Sequence, residues 1–355
     1  MNGTMLSRRG VLKGSAALAA GTVFAAPLRA AAPEPSAITP ALIEAARKEG
    51  KVSFYTATEL QIAEKFAKAF EAKYPGIQVR IERSGAERVF QRVGQEMDSR
   101  IHNVDVVCST DPAHFLVWRK NNWIEPYLPE DVAKHFPADQ KDADGMWATV
   151  CAWLSVIGYN SKLVKPEDAP KSYADLLDPK WKGKIVKAHP SYSGAILTTT
   201  FALNKALGWE FLEKLAQQRI MQVQSAADPP KKLSLGERAV QADGNDYSVI
   251  LLKEAGHPVE VVYATEGSPL IIVPQGIFRS APNPNAARLL QSFFFSAEAQ
   301  EMLPHTYAQR SFHALVKEKP GHTPLDTIKV LKSDPAAVEA QTEELKQRYS
   351  KTFGV

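Results

Sequence analysis

Hydroxyl side chains and glycines recur at four turns of the sequence, where a short β-prone run ends or an apolar helix begins. The turns are Tyr55-Thr56, Ser84-Gly85, Ser109-Thr110 and Ser191-Tyr192-Ser193-Gly194. Free backbone N–H groups at a helix start attract an anion, and glycine lets the anion approach the backbone. Each turn alone is also an ordinary helix cap. Together, the four turns predict an oxyanion cradle if they point into one cleft.

Other polar residues are candidates for ligand contacts at the same place. Tyr192, Tyr247 and Tyr263 are either ligand contacts or half-buried core residues. Glu266 either accepts a hydrogen bond from a ligand hydroxyl or amine, or is a surface acid in a loop. Lys253 would add a positive point charge for an anionic ligand.

Local signatures of enzymes and metal sites are missing from the sequence. It contains no His-Glu-x-x-His or Cys-x-x-Cys motif, no Gly-x-Ser-x-Gly nucleophile elbow, and no Gly-x-Gly-x-x-Gly or Walker loop. His102, His114, His135 and His189 are scattered, so we expect surface or capping histidines. We therefore predict no catalytic residue, no metal site and no cofactor. An exported enzyme remains a remote alternative.

The elements that must position these residues alternate in the first part of the chain. A β-prone run at 51–55 leads to an amphipathic helix at 59–73, a strand at 77–81, a helix at 86–100 and a strand at 104–108. This βαβαβ order predicts a parallel sheet with helices on both faces.

The remainder has a different rhythm. A long apolar, β-prone run spans 147–159, and further strands are expected at 184–187 and 247–252. The runs at 270–273, 274–276 and 277–278 then lead into a helix. Helices are expected at 193–207, 210–217, 285–295 and 335–351. The only cysteines, Cys108 and Cys151, are expected to be buried thiols, although an oxidising compartment would permit a disulfide.

Residues 1–32 have the order of an export signal: the paired Arg8 and Arg9, a short apolar run, and Ala30-Ala31-Ala32. The arginine pair resembles the twin-arginine type of signal. All four charges of this segment are positive, which equals the net charge of +4 of the full chain. The mature chain is therefore neutral, which gives no indication of a nucleic-acid partner. Residues 33–40 form a Pro/Ala/Ser linker that we expect to be mobile.

Several motifs resemble the extracellular solute-binding proteins of ABC importers, in the branch that contains the ferric-iron binders. The matching stretches, in chain order, are 70–77 (Phe-Glu-Ala-Lys-Tyr-Pro-Gly-Ile), 103–107 (Asn-Val-Asp-Val-Val), 157–160 (Ile-Gly-Tyr-Asn), 174–184 (Ala-Asp-Leu-Leu-Asp-Pro-Lys-Trp-Lys-Gly-Lys) and 286–300. The resemblance implies an α/β fold of type II with two lobes, each a doubly wound sheet, and a ligand cleft between them. By analogy, lobe 1 would comprise 41–111 and 266–310, and lobe 2 would comprise 112–265 and 311–355.

The resemblance also implies a periplasmic monomer that delivers a small ligand to an ABC permease. The iron binders of the family present adjacent tyrosines after the segment that corresponds to 247–252, whereas this chain has Leu251-Leu252-Lys253-Glu254 there. We therefore prefer an organic anion that bears phosphate, phosphonate or carboxylate, with ferric ion as the alternative. Sequence does not separate transport of the ligand from sensing of it.

Overall fold

The computed structural model describes residues 33–355. The strands are β1 (Lys51–Thr56), β2 (Gln78–Arg83), β3 (Val106–Cys108), β4 (Ile124–Glu125), β5 (Ala148–Leu154), β6 (Ile157–Asn160), β7 (Ile185–Ala188), β8 (Met221–Val223), β9 (Val240–Gln241), β10 (Val259–Val262), β11 (Ser268–Phe278) and β12 (Val330–Leu331). The predicted signal segment, 1–32, lies outside the described residues.

The helices alternate with these strands. They are α1 (Pro40–Glu49), α2 (Leu60–Lys73), α3 (Ala86–Asp98), α4 (Ala113–Lys120), α5 (Glu130–His135), α6 (Gly194–Leu207), α7 (Trp209–Ala216), α8 (Asp228–Ser234), α9 (Asp246–Glu254), α10 (Pro284–Phe295), α11 (Ala297–Tyr307) and α12 (Pro335–Phe353). Across 33–355, no helix combines the length and the apolar character needed to span a bilayer.

The first sheet has the order β12-β11-β3-β1-β2. Strands β1, β2 and β3 are parallel, as the βαβαβ pattern predicts, and β11 runs antiparallel to β3. Strand β11 is long enough to pair also with β5 over Leu270–Gln275 and with β4 at its end. This sheet carries the largest core, in which Phe54, Phe66 and Phe294 pack together.

The second sheet has the order β10-β6-β9-β7-β8. Strands β7, β8 and β9 are parallel, and β6 is antiparallel to β9 and β10. Helices α6, α7 and α12 cover it, because Leu197, Leu212 and Leu345 belong to the same buried cluster as Ile185. The buried face of α12 therefore assigns the closing helix to the second sheet.

The chain passes between the two sheets beside a buried ion pair. Asp246, the first residue of α9, lies 3.3 Å from the Arg310 guanidinium, and both side chains are at most 4% exposed. The Asp246 Oδ1 accepts the N–H of Leu154, the last residue of β5, at 3.0 Å. Arg310 also exchanges backbone hydrogen bonds with Ala152. This pair thus fixes β5, α9 and the segment after α11 to one another.

Helix α9 occupies the segment in which we expected a strand, so that prediction is wrong. A run of six residues with mixed apolar character does not distinguish a strand from a buried helix. Tertiary contacts decide the outcome here: Val249 packs in a small core with Val259 of β10. Cys108 and Cys151 are buried free thiols, as predicted.

Strand pairing differs from the predicted division into lobes. Strands β4, β5 and β12 lie within the predicted second lobe, yet each pairs with β11 in the first sheet. We therefore propose that the chain leaves the first lobe after Leu154 rather than after residue 111. The predicted linker is also tied down, because the Ser36 N–H donates to Leu128 O and the Ser36 carbonyl accepts the Glu130 N–H.

Replacement of Arg310 by methionine tests the ion pair. Arg310→Met leaves the Asp246 carboxylate buried without its cation, so we expect the free energy of unfolding to fall by about 3–5 kcal/mol. Adding Asp246→Asn removes the stranded charge and keeps an acceptor for the Leu154 N–H, so much of the stability should return. Urea denaturation followed by circular dichroism measures both changes.

The matched control is Lys253→Met, which removes the cation of an exposed pair with Glu260. We expect it to cost less than about 1 kcal/mol. A loss in Arg310→Met no larger than the loss in this control would contradict the role we give to the buried pair.

Candidate functional site

A cavity of about 200 Å³ lies between the two sheets. The first sheet contributes the turns after β1, β2 and β3, through residues such as Thr58, Gly85 and Thr110. The second sheet contributes helix starts, through Ser193 before α6 and Asn245 before α9. Ligands of doubly wound sheets bind beyond the carboxyl ends of the strands, which is where this cavity lies.

Two arginines line the cavity from the first sheet. Arg83 is the last residue of β2 and donates from Nε to the Thr58 carbonyl at 3.3 Å. Arg88, in the first turn of α3, donates to Gln224 Oε1 at 3.1 Å, and its guanidinium lies 5.8 Å from the centre of the Tyr192 ring. Among residues 33–355 neither arginine has a carboxylate partner, so both contacts are with neutral oxygens.

Two helix N-termini with room for a ligand face the same cavity. Gly85 is the N-cap of α3 and has no side chain, so no cap side chain accepts a hydrogen bond from the first N–H groups of this helix. Ser193 is the N-cap of α6, and its hydroxyl accepts the Ile196 N–H at 3.4 Å, a long contact. The positive ends of both helices therefore reinforce the two arginines.

Acidic and phenolic groups line the cavity as well. Glu59 accepts a hydrogen bond from the Ser248 hydroxyl at 2.9 Å. Asn245 donates to the Tyr247 hydroxyl at 2.7 Å, and the Asn245 Oδ1, although buried, has no partner in the described part of the chain. Burial, together with Glu59, raises the pKa of Tyr247 well above its usual value. Tyr247 is therefore a neutral phenol at neutral pH.

The structure brings five of the predicted site residues to this cavity. They are Gly85, Thr110, Tyr192, Ser193 and Tyr247. Gly194 and Ser84 are their chain neighbours and are not part of the lining. Three of the four predicted turns thus contribute to the cavity, but most of the lining comes from other segments, such as residues 224–228.

The other predicted side chains are engaged in structural hydrogen bonds. The Tyr55 hydroxyl donates to Glu96 at 3.0 Å, and the Thr56 hydroxyl accepts the Thr58 N–H at 3.0 Å. Ser109 contacts the His114 ring at 2.9 Å. Glu266 accepts the N–H of Tyr173 at 3.1 Å, which orders a turn of the second lobe.

Lys253 and Tyr263 also lie away from the cavity lining. The Lys253 ammonium pairs with Glu260 at 2.6 Å on the surface, since helix α9 points it outward. Tyr263 receives a hydrogen bond from Arg310 at 3.4 Å, beside the crossing between the sheets. Lys253 therefore does not line the cavity, whereas Arg83 and Arg88, which sequence reasoning missed, do. Arg83 directly precedes Ser84-Gly85, so extending the predicted strand from 81 to 83 would have found it.

The two lobes approach each other closely around the cavity. A Cβ atom at Gly85 would lie 2.6 Å from the Tyr192 carbonyl oxygen, and a Cβ at Gly194 would lie 2.6 Å from Asp111 Cβ. Glu87 of α3 accepts a hydrogen bond from Lys346 of α12 at 2.6 Å. Burial opposes ionisation of Glu87, but His114 and Lys346 outweigh it and lower its pKa to about 2. The contacts across the cleft are thus formed by backbone and by a charged pair.

A sequence profile described as bacterial extracellular solute-binding protein matches residues 103–328, well over half of the chain. The chain belongs to this family. Among curated relatives of this solute-binding protein, the iron uptake protein A1 of Synechocystis is 24% identical over 250 residues, covering 64% of this chain and 66% of that protein.

Solved structures show the same fold. The periplasmic binding protein AfuA of Actinobacillus pleuropneumoniae, with bound fructose-6-phosphate, has a TM-score of 0.78 at 22% identity and covers 86% of this chain and 99% of its own. Iron-bound HitA of Pseudomonas aeruginosa has a TM-score of 0.73 at 23% identity and covers 84% and 99%. The solute-binding protein therefore has the predicted type II fold with two lobes.

Alanine at Gly85 should block the approach of the lobes. The backbone of Gly85 has a φ of −61° and ψ of 150°, which alanine adopts freely, so we expect little change in the free energy of unfolding. The added methyl group meets the Tyr192 carbonyl only when the lobes meet. We expect small-angle X-ray scattering to give a larger radius of gyration for Gly85→Ala than for wild type.

Gly94→Ala is the matched control, because a Cβ at this position of the same helix meets nothing within 4 Å. It should leave the radius of gyration unchanged and stabilise α3 by up to about 1 kcal/mol. Equal radii of gyration for all three proteins would show that Gly85 does not limit closure.

Proposed function

We propose that this solute-binding component of an ABC transporter captures an organic anion bearing phosphate, phosphonate or carboxylate, and that the lobes close around it. One observation carries the proposal: Arg83, Arg88 and the N-termini of α3 and α6 face a single cavity. An arginine fork matches the oxygens of phosphate and carboxylate, and helix N-termini supply further N–H donors.

The hydrogen-bond partners of the two arginines also support an anionic ligand. Within the described chain, Arg83 and Arg88 bond only to a carbonyl and an amide oxygen. A ligand anion would add hydrogen bonds in which both donor and acceptor are charged, as in arginine–phosphate and arginine–carboxylate pairs. In the same cavity, Glu59 would accept from a hydroxyl or ammonium group of the same ligand. The site therefore favours an anion that carries a second polar group.

Ferric ion is the second candidate, since iron-binding proteins are among the relatives and the solved structures. A hard ferric ion takes oxygen donors, and Tyr192, Tyr247 and Glu59 line the cavity. Two features disfavour a bare ferric ion. The raised pKa of Tyr247 opposes loss of the phenol proton, and Arg83 and Arg88 would repel a cation.

The family is one of transport proteins, and the chain acts with an ABC permease as its partner. We propose that it is a periplasmic monomer that releases its ligand unchanged, without catalysis. A turnover assay in which a bound organophosphate is converted chemically would contradict the last point.

A ligand screen tests the proposed class. Ligand that binds only the folded protein stabilises it by about 2.7 kcal/mol at 100 times its Kd. We expect fructose 6-phosphate, 2-aminoethylphosphonate or a related organic anion to raise the melting temperature, and ferric citrate to have no effect beyond that of citrate alone. A strong shift with ferric salts, and none with any organic anion, would overturn the proposal. Native mass spectrometry of protein purified from its own host would identify the bound ligand.

A new carboxylate at the helix start should abolish anion binding. Two like charges about 4 Å apart repel by roughly 4 kcal/mol at an effective dielectric constant of about 20, so we expect Ser193→Asp to weaken binding of the screened anion at least about 100-fold. Aspartate is as good an N-cap as serine, so the fold should persist. Isothermal titration calorimetry measures the affinity.

Thr39→Asp is the control for this experiment. It places the same charge at the N-cap of α1, where Thr39 accepts the Leu42 N–H on the exposed surface. It should bind the anion as wild type does. Unchanged affinity in Ser193→Asp would remove Ser193 from the site.

A further inference from the structure

A second cluster of ligating side chains lies away from the cleft, on the first lobe. Asp131 and His135 are four residues apart on α5 and therefore share one face of the helix. His313, in the segment after α11, packs against that face, with its ring centre 4.8 Å from that of His135. One ligand atom of each residue lies within 4.8 Å of the other two.

His313 has an unsatisfied nitrogen in this cluster. The residue is 2% exposed, its Nδ1 accepts the Leu315 N–H at 3.3 Å, and its Nε2 has no hydrogen-bond partner in residues 33–355. A buried polar atom without a partner destabilises the fold, because it has lost its hydrogen bonds to water. Coordination by Nε2 would remove this cost. It would move the ring proton to Nδ1 and release the long contact with Leu315, which is itself exposed and open to water.

A cluster of similar composition elsewhere in the lobe shows the contrast. Glu87, Asp111 and His114 also lie within 4.8 Å of one another. There, Lys346 pairs with Glu87 at 2.6 Å, and the two nitrogens of His114 contact Ser109 and Glu87. Contrary to the surface or capping role expected from the sequence, His114 is a buried member of a satisfied network.

In the cluster on α5, by comparison, the described residues supply neither a lysine nor an arginine to pair with Asp131. The Asp131 carboxylate and the His135 ring make no hydrogen bond with another described side chain. One ligand atom of each of the three residues thus lies within 4.8 Å of the other two, and the buried His313 has a nitrogen with no partner in the described chain.

We propose that Asp131, His135 and His313 form a binding site for a divalent transition-metal ion of the zinc type. Two imidazoles and one carboxylate are a donor set that suits zinc and its neighbours, whereas calcium and magnesium take oxygen donors alone. Bonds of about 2.0–2.1 Å in a tetrahedral site bring ligand atoms to roughly 3.3 Å from one another. Side-chain rotations that move each ligand atom by about 1 Å would therefore close the site. The ion would join α5 to the segment that follows α11.

Zinc binding by the full mature chain, without a histidine tag and freed of metal with a chelator, tests the proposal. We expect wild type to bind one zinc ion per chain in competition with a chromophoric chelator, and zinc to raise its melting temperature. His135→Ala and Asp131→Asn each remove one ligand from a half-buried position and should weaken binding at least tenfold. They avoid His313, whose replacement in the core could impair folding.

Two control variants make the outcome decisive. His102→Ala removes an exposed histidine that belongs to neither cluster, so this variant should bind zinc as wild type does. His305→Ala removes a surface histidine that pairs with Glu301 on α11, and it should also leave binding unchanged. Absence of saturable zinc binding, wild-type affinity in His135→Ala, or loss of binding in His305→Ala would each overturn the proposal. Organic-anion affinity is measured separately in the same variants and should be unaffected. Failure of the zinc proposal is thereby distinguished from failure of the proposed anion binding.

Discussion

The buried ion pair between Asp246 and Arg310 constrains the rest of the molecule. It lies where the chain passes between the sheets, and it connects the end of β5, the start of α9 and the segment after α11. Burial raises the pKa of Asp246, and Arg310 opposes that shift. Because α9 begins at this carboxylate, the same pair fixes where Tyr247 faces the cavity. One interaction thus couples the crossing between the lobes to the ligand site.

The cavity itself depends on backbone more than on large side chains. At Gly85 and Gly194, the missing side chains let one lobe come within contact distance of the other. Gly85 also lines the cavity, and it has no side chain to cap the first N–H groups of α3. Under the proposed function, glycine here would serve two needs, because it permits the approach of the lobes and leaves donors for an anion.

Sequence patterns predicted much of this architecture for local reasons. The strands at 51–55 and 104–108 and the helix at 193–207 have clear periodicity or clear boundaries. The segments that follow the two strands, and the turn that precedes the helix, contribute residues to the cavity. The strand expected at 247–252 was wrong, because a short apolar run carries no period and packing against β10 decides its form. The position of Arg88 at the cavity could not be predicted from the sequence, for another reason. Arg88 is an ordinary exposed residue of α3 until the second lobe brings Gln224 opposite it.

Charged side chains with a structural role differ in their partners from the charged side chains that we propose bind the ligand. Lys187 and Asp243, both at most 1% exposed, form a 2.7 Å pair behind the cavity, and removing either partner would strand a buried ion. Arg83 and Arg88 differ, since in the described chain they rely on neutral oxygens and lie partly in water. A protein that kept these cations for stability would gain by pairing them with its own acids. Under the proposed function, Arg83 and Arg88 keep these weaker acceptors near the start of α3 because their counter-charge arrives with the ligand and leaves with it.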